Sequence, residues 1–470
     1  MTTEQLERGT KNSYPSVSAK PVSPRDRMLR GPILATLLRL SAPNVGEAMA
    51  RVAFIAFDAV FIGWLGTDAL AGVSLVFPIF LIMQMMSASG LGAGTAAAIA
   101  RSLGADRQSD ANRVAGQGIL LALAAAGISA AIFLALGPMI YQWMGAEGES
   151  LTAATTYSTL VFSGIVVVWL MNVLANVVRG TGNMVVPASA IVAGEILHLS
   201  LGPVLILGLG AFPALGVSGA AVAILASYSM GALILLVYLA SGRGLVSLAW
   251  KNCQPSWTHM REILGVGSFA SLNVLQTQLI LIVTTGLMAS YGQISLAGFG
   301  AASRLELLQI PVTFALGSAI ITMVATNLGA GQWDRVRRIA WSGMAIAVAI
   351  GMLFGAIAYF AAEDWMRLFS NDPGVIAAGA LYLNMLAIVL PFMGAGLGLM
   401  FGLLGANKAK LPFLAINVRL LIIVAIGWPA VAFWGVAPTT LILILLAAMM
   451  IFATVVVAAG YRLFNAGQIK

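Results

Sequence analysis

The chain has 470 residues, 60% of them hydrophobic and only 9% charged, against about 25% charged in ordinary soluble domains. That balance excludes a water-soluble globule. With a mean hydropathy of +0.95 it predicts an all-α membrane protein, because lipid-facing helices need apolar surface and close-packed ones need small residues such as its 51 glycines.

The formal net charge of +8 is not a nucleic-acid footprint, since so few charges act by where they sit rather than by their sum. The single cysteine, Cys253, excludes an internal disulfide and lies in a polar segment without Cys or His at metal-ligand spacing. Residues 1–30 are polar, hold Arg25, Asp26, Arg27 and Arg30, and lack the apolar run of a signal peptide. They read as a tail on the cytoplasmic side.

Apolar stretches long enough for a core of about 30 Å follow at 42–64, 70–100, 115–137, 155–176, 186–209, 216–241, 264–290, 295–323, 340–361, 378–402, 411–434 and 437–461. Basic residues accumulate in cytoplasmic loops. With the amino terminus inside, all 25 Lys and Arg are inside except Arg51, Arg304 and Arg419 within spans and Arg367 outside. Twelve spans in the inner membrane with both termini cytoplasmic is the consistent solution.

The chain repeats itself. Leu103-Gly104-Ala105 with Arg113 and Ala115 matches Leu328-Gly329-Ala330 with Arg338 and Ala340, a shift of 225, and Gly180 to Pro187 matches Gly405 to Pro412 at the same shift. Gly66 and Leu70 to Gly72 match Gly292 and Leu296 to Gly298 at 226. Two six-helix bundles related by a parallel repeat are a transporter architecture with the substrate path between them. The predicted organisation is a tail over 1–30, an N-terminal lobe over 31–241, a linker over 242–262 that reads as the hinge, and a C-terminal lobe over 263–470.

Ionisable groups at bilayer depth are costly and usually face protein or water. Glu47, Arg51 and Asp58 lie along one face of the first span. Asp58 is the candidate coupling group, able to trade a proton or a sodium ion between two conformations, or else a helix–helix hydrogen-bonding residue. Glu47 and Arg51, at i,i+4 spacing, read as a self-neutralising pair that gates the path or binds cargo. Glu195 and His198, three apart, share a face of the fifth span and form a candidate proton relay or a packing pair. Arg304 and Glu306, two apart, point to different partners. Asn273 and Gln276, with Gln84, Asn172 and Asn417, line a wet cavity or act as interhelical glue.

No nucleotide-binding loop or metalloprotease motif is present. The stretch Ser89-Gly90-Leu91-Gly92-Ala93-Gly94 fits close helix packing better than dinucleotide binding, since no strand precedes it. The chain is not expected to be an enzyme, and no cofactor, metal or nucleic-acid partner is expected.

The first span with Asp58-Ala59-Val60-Phe61-Ile62-Gly63-Trp64-Leu65-Gly66, then Phe77-Pro78, Arg179-Gly180-Thr181-Gly182-Asn183, Leu215-Gly216-Val217-Ser218-Gly219, Arg304-Leu305-Glu306 and Asn327-Leu328-Gly329-Ala330-Gly331-Gln332, in that order, resembles the multidrug and toxic compound extrusion (MATE) family of prokaryotic type. The resemblance implies export of small amphipathic, often cationic compounds against inward protons or sodium by a V-shaped pair of bundles, with Asp58 at the family's coupling aspartate. The fifth span departs from the family's Asn and Asp-Pro pattern, having His198 and Gly202-Pro203, with Glu195 on a similar face. Gln276 and Met393 stand where other members carry acids, which favours protons over sodium. An excess of acids (Glu47, Asp58, Glu195, Glu306) over bases (Arg51, Arg304, Arg419) favours a cationic cargo. The alternatives are a sodium-coupled exporter, a lipid-linked precursor flippase of the same superfamily, and a membrane protein without transport. A monomer in the lipid bilayer is expected.

Overall fold

The computed structural model describes residues 23–210 and 212–465; the side chains at 53–56, 58, 59, 250 and 251 lie outside the described set. The membrane helices, in order, are α1 (Ile33–Gly63), α2 (Thr67–Gly104), α3 (Gln108–Trp143), α4 (Gly148–Ser163 and Ile165–Gly180), α5 (Val185–Leu207) and α6 (Val217–Ala240). The second half continues with α7 (Trp257–Ala289), α8 (Gln293–Gly329), α9 (Trp333–Phe360), α10 (Pro373–Gly405), α11 (Lys410–Ala432) and α12 (Pro438–Asn465). Ten helices among the described residues are long and apolar enough to cross a membrane, and the two pieces of α4, bent by 49°, make an eleventh. The 31-residue α1, poorer in apolarity because it carries Arg39, Glu47, Arg51 and Asp58, completes the twelve. No strand occurs among the described residues.

Several helices outrun the apolar windows that predict them. α3 begins at Gln108 rather than 115 and α1 at Ile33 rather than 42, because a hydropathy window marks the lipid-crossing part while a helix ends only where its backbone hydrogen bonds are capped. The break in α4 was not legible. It falls at Gly164, where a Cβ would lie 2.5 Å from a Leu225 methyl on α6.

The buried apolar residues divide into two cores. One runs from Phe61 to Ile263. The other gathers Val266 to Phe464 together with Met28, Leu37 and Ala93, Ala97 and Ala100 of α2. Leu37 and Phe61, both on α1, therefore belong to different cores, so α1 passes from one lobe to the other.

The repeat is written in the backbone. Asp106 (φ 61°) and Gly331 (φ 71°) are left-handed residues 225 positions apart, as are Gly182 (φ 85°) and Asn407 (φ 61°). The turns match bond for bond. Ala105, Asp106 and Arg107 donate to the carbonyls of Arg101, Leu103 and Ser102, and Ala330, Gly331 and Gln332 donate to those of Thr326, Leu328 and Asn327.

The equivalent helix ends also touch each other. A Cβ on Gly104 would collide with the Thr326 carbonyl, and one on Gly329 would collide with the Arg101 carbonyl. Since 104 and 101 correspond to 329 and 326 under the repeat, this is a reciprocal contact of the kind a two-fold axis generates. Gly94 meets Gly267 and the Ile263 carbonyl close by, and Gly90 meets Ser271, which makes the glycine-rich stretch a helix-packing surface. Overlapping its start, Met86–Gly92 form wide turns with i→i+5 bonding, a local expansion common at functional sites.

Two expectations need correction. The polar tail lies outside the described residues up to 22, but Pro24–Arg30 is a helix, capped by the Ser23 hydroxyl accepting from the Asp26 amide at 3.0 Å and burying Met28. The linker is also not a free hinge. The Gln117 side chain donates to the carbonyls of Asn252 (3.3 Å) and Gln254 (2.8 Å) and accepts from the Ser256 amide (3.0 Å), while Asn112 accepts from the Ser247 amide (3.1 Å). These amides on α3 moor the linker to the first lobe.

Gly329→Ala should lower the thermal midpoint of the detergent-solubilised protein by a few degrees, since overpacking of a tight contact costs about 1–3 kcal/mol. Gly286→Ala, where a Cβ meets nothing within 4 Å inside a helix, should leave it unchanged or raise it slightly. Intrinsic fluorescence against temperature checks both.

Candidate functional site

Just beyond the glycine contacts, between the lobes, lies a cavity of about 210 Å³. Its walls differ. On the first lobe, α1 presents Asn44, Glu47 and Arg51, α2 presents Gln84 and Ser89, and the second piece of α4 presents Asn172, Asn176 and Arg179. On the second lobe, α8 and α10 present Phe314 and Phe401, packed edge to face at 5.1 Å between centroids, with Pro311 and Ser318 beside them.

The charged wall is built from helical spacing. Glu47 and Arg51 are four apart on α1, and Asn172, Asn176 and Arg179 follow at steps of four and three on α4, so each set occupies one face. The amides hold α4 against the widened turns of α2, Asn172 donating to the Ser87 hydroxyl at 2.8 Å and Asn176 to the Ala88 carbonyl at 3.1 Å.

Glu47 is the centre of the network. Its Oε2 lies 2.5 Å from Arg179 Nη2 and its Oε1 lies 3.5 Å from Arg51 Nη2. Arg51 Nε is in turn 3.9 Å from Glu195 Oε1, and Arg51, Glu195 and Tyr228 share a second, smaller cavity. The side chains of Glu47 and Arg179 are only 12% and 10% exposed, where removing one partner of an ion pair leaves the other poorly solvated.

The remaining candidates fall elsewhere. Asp58 is on α1 eleven residues beyond Glu47, about 16 Å along the helix, and its side chain lies outside the described residues. His198 is fully buried in α5, beside Gly202. Asn273 is buried and Gln276 half-buried on α7; neither lines the cavity. Arg304 is stacked over the Phe369 ring at 4.8 Å, and Glu306 lies among the charged and polar groups of Tyr382 and Arg419 in the second lobe. Gln84 and Asn172 do line the cavity, whereas Asn417 bonds its own helix at the Phe413 carbonyl.

Two readings change as a result. The Glu47 and Arg51 pair is not self-neutralising, because Arg179 is the nearer cation. The acid excess is also not found among the described residues: Glu195 stands behind Arg51, Glu306 and Arg419 belong to another cluster, and the described charged groups lining the cavity are two guanidinia and one carboxylate, with the Asp58 side chain outside the described set. Arg179 was missed because a basic residue near a span end sorts with the cytoplasmic loops. Its spacing from Asn172 and Asn176 was the signal that could have found it.

Comparison with known proteins gives this geometry a family. The family model MatE matches residues 43–204 and 270–428. The chain belongs to the MatE family. Among curated relatives of this MatE chain, the FAD transporter of Shewanella oneidensis is 30% identical over 383 residues, covering 80% of this chain and 82% of that protein. The probable multidrug resistance protein NorM of Thermotoga maritima is 27% identical over 360 residues, 76% of each. A solved MOP superfamily transporter from Pyrococcus furiosus, described as having a binding pocket of reverse polarity, superposes with a TM-score of 0.87 at 24% identity, over 95% of this chain and 99% of that one. The chain is thus a transporter of the twelve-helix MatE fold, integral to the membrane, and not an enzyme.

Glu47→Gln should destabilise the MatE chain by about 3 kcal/mol, the cost of leaving buried guanidinia short of their carboxylate. Glu47→Gln with Arg179→Gln should recover a substantial part of that loss. A double-mutant cycle on thermal midpoints measures the coupling.

Proposed function

We propose that this MatE chain is a secondary active exporter that alternates access between its lobes, moving an amphipathic organic anion outward against inward protons. The observation that carries the cargo assignment is the lining itself, which among the described residues has two guanidinia around one carboxylate on one wall and two phenyl rings on the other. Arginine forks match phosphate and carboxylate oxygens in pairs, and phenyl faces receive an aromatic ring system. A cationic cargo would meet the like charges of Arg51 and Arg179. About 210 Å³ holds roughly seven waters at about 30 Å³ each, so the cavity takes one end of such a molecule. The FAD transporter of Shewanella oneidensis names a compound of this chemistry.

The energetics agree with export. With the basic loops in the cytoplasm and the chain in the inner membrane, an anion leaving a negative interior gains about 2.3 kcal/mol per charge per 100 mV. Asp58, near the opposite end of α1, is the proposed proton site. Its protonation in the outward-open state favours return, since an equilibrium shifts only as far as the ligand's differential affinity for two states. A lipid-linked precursor flippase would also call for a cationic cavity, but tends to have more spans than these twelve.

Proteoliposomes preloaded with FAD or with ethidium, under separately imposed proton and sodium gradients, test the proposal. FAD efflux should respond to the proton gradient and exceed ethidium efflux; ethidium efflux with no FAD transport would reverse the cargo assignment. Arg51→Gln should cut FAD efflux about tenfold, in line with a charge-assisted hydrogen bond of about 1.5 kcal/mol. In the same assay Asp58→Asn should lose the response to the pH gradient, and a wild-type response would remove Asp58 from the mechanism.

A further inference from the structure

The short helix Pro24–Arg30 lies across the seam where the two lobes touch, and it is bonded to both. Towards the second lobe, the Met28 carbonyl accepts from Asn327 Nδ2 at 3.1 Å and from Arg335 Nε and Nη2 at 3.2 Å each, and Arg335 also donates to the Gly31 carbonyl. The Met28 thioether receives the Thr326 hydroxyl at 3.9 Å. Towards the first lobe, Arg25 pairs with Asp106 at 3.2 Å and donates to the Gly104 carbonyl at 3.5 Å. The Met28 methyl also fills the space against Gly182, where a Cβ would lie 2.6 Å from it.

These attachment points are the seam itself. Gly104 and Thr326 are partners in the reciprocal contact, while Asp106 and Gly182 are two of the left-handed turn residues of the first lobe. Nothing in the packing of twelve spans requires a preceding segment to be fixed there. Yet the segment satisfies an arginine fork and a buried asparagine with its own carbonyls, and it buries its methionine to 2% exposure.

We propose that Pro24–Arg30 is a latch that holds the basic-loop end of the transporter closed, and that it must release one lobe each time that end opens. The two attachments differ in strength. Those to the second lobe are multiple, a buried bond from Asn327 and charge-assisted, part-buried ones from Arg335, whereas Asp106 is 84% exposed and an exposed ion pair contributes little. The latch therefore stays on the second lobe, travelling with the start of α1, whose Leu37 belongs to that lobe's core. It lets go of Asp106, Gly104 and Gly182. Release uncovers the Met28 methyl that had packed against Gly182, while the rest of that side chain stays in the core of the second lobe.

The labelling test requires neither the cargo nor the coupling ion, so its outcome is independent of the transport assignment; only the cross-linking arm reads turnover. In a Cys253→Ser background, a Ser318→Cys reporter in the cavity is labelled with a membrane-impermeant maleimide in inside-out vesicles, which present the basic-loop end to the reagent. Arg25→Glu, which sets two carboxylates against each other, should raise the labelling rate about threefold, the size expected of an exposed ion pair. Arg25→Glu with Asp106→Asn should return it towards the parent value; asparagine tolerates the left-handed turn. Arg335→Gln should raise labelling further. Separately, Arg25→Cys with Asp106→Cys, joined by a reducible bifunctional maleimide, should stop turnover and recover it on reduction. Unchanged labelling in Arg25→Glu, or full-rate turnover with the helix cross-linked to the loop, overturns the latch.

Discussion

The reciprocal approach of Gly104 to the Thr326 carbonyl and of Gly329 to the Arg101 carbonyl is the constraint on which the rest depends. Backbones can come this close only where no side chain intervenes, and because the two contacts are related by the repeat, they close the basic end of the molecule about an axis along the membrane normal. A cavity then exists because the lobes diverge from that seam. In the proposed cycle, opening the seam is the motion that converts a sealed pair of bundles into a carrier with two faces, and Pro24–Arg30 spans the parts that would separate.

Charge is distributed with the same logic. Glu47 holds Arg179 and reaches Arg51, so in this conformation an internal carboxylate occupies the guanidinia that an anionic cargo would take. Such an occupant keeps the pair satisfied, and the proposed cargo would displace it by competition rather than by creating an unpaired charge. Because α1 passes from the core of one lobe to that of the other, Glu47 and Arg51 sit where relative motion of the lobes changes their distance from Arg179 and Glu195. In the proposed cycle, cargo binding and lobe motion thereby act on the same four side chains.

Much of this was legible in the sequence. Span count and the two-lobed repeat follow from hydropathy, the basic-residue bias and the shift of 225, because a lipid environment leaves a helix few alternatives. The cavity was legible only in part. Periodicity puts Glu47 and Arg51 on one face of α1, but it does not give the rotation of a neighbouring helix, so Glu306, Arg304 and Arg419 were counted in a cavity they do not reach. Arg179 was hidden by a rule that sorts bases by loop, and the docking of the linker by Gln117 depends on long-range hydrogen bonds that no local pattern records. Pro24–Arg30 was read as tail because seven residues carry too little apolar surface to reveal that one of them, Met28, is buried.

The most direct measurement of the central claim is a pair of spin-label distances by pulsed electron resonance, one between positions 106 and 331 at the seam and one between 66 and 292 at the opposite ends of the lobes, taken in liposomes at rest and during turnover. The account predicts opposed changes, with the seam pair lengthening as the far pair shortens. Lobes that stayed fixed at the seam while cargo crossed the membrane would contradict it.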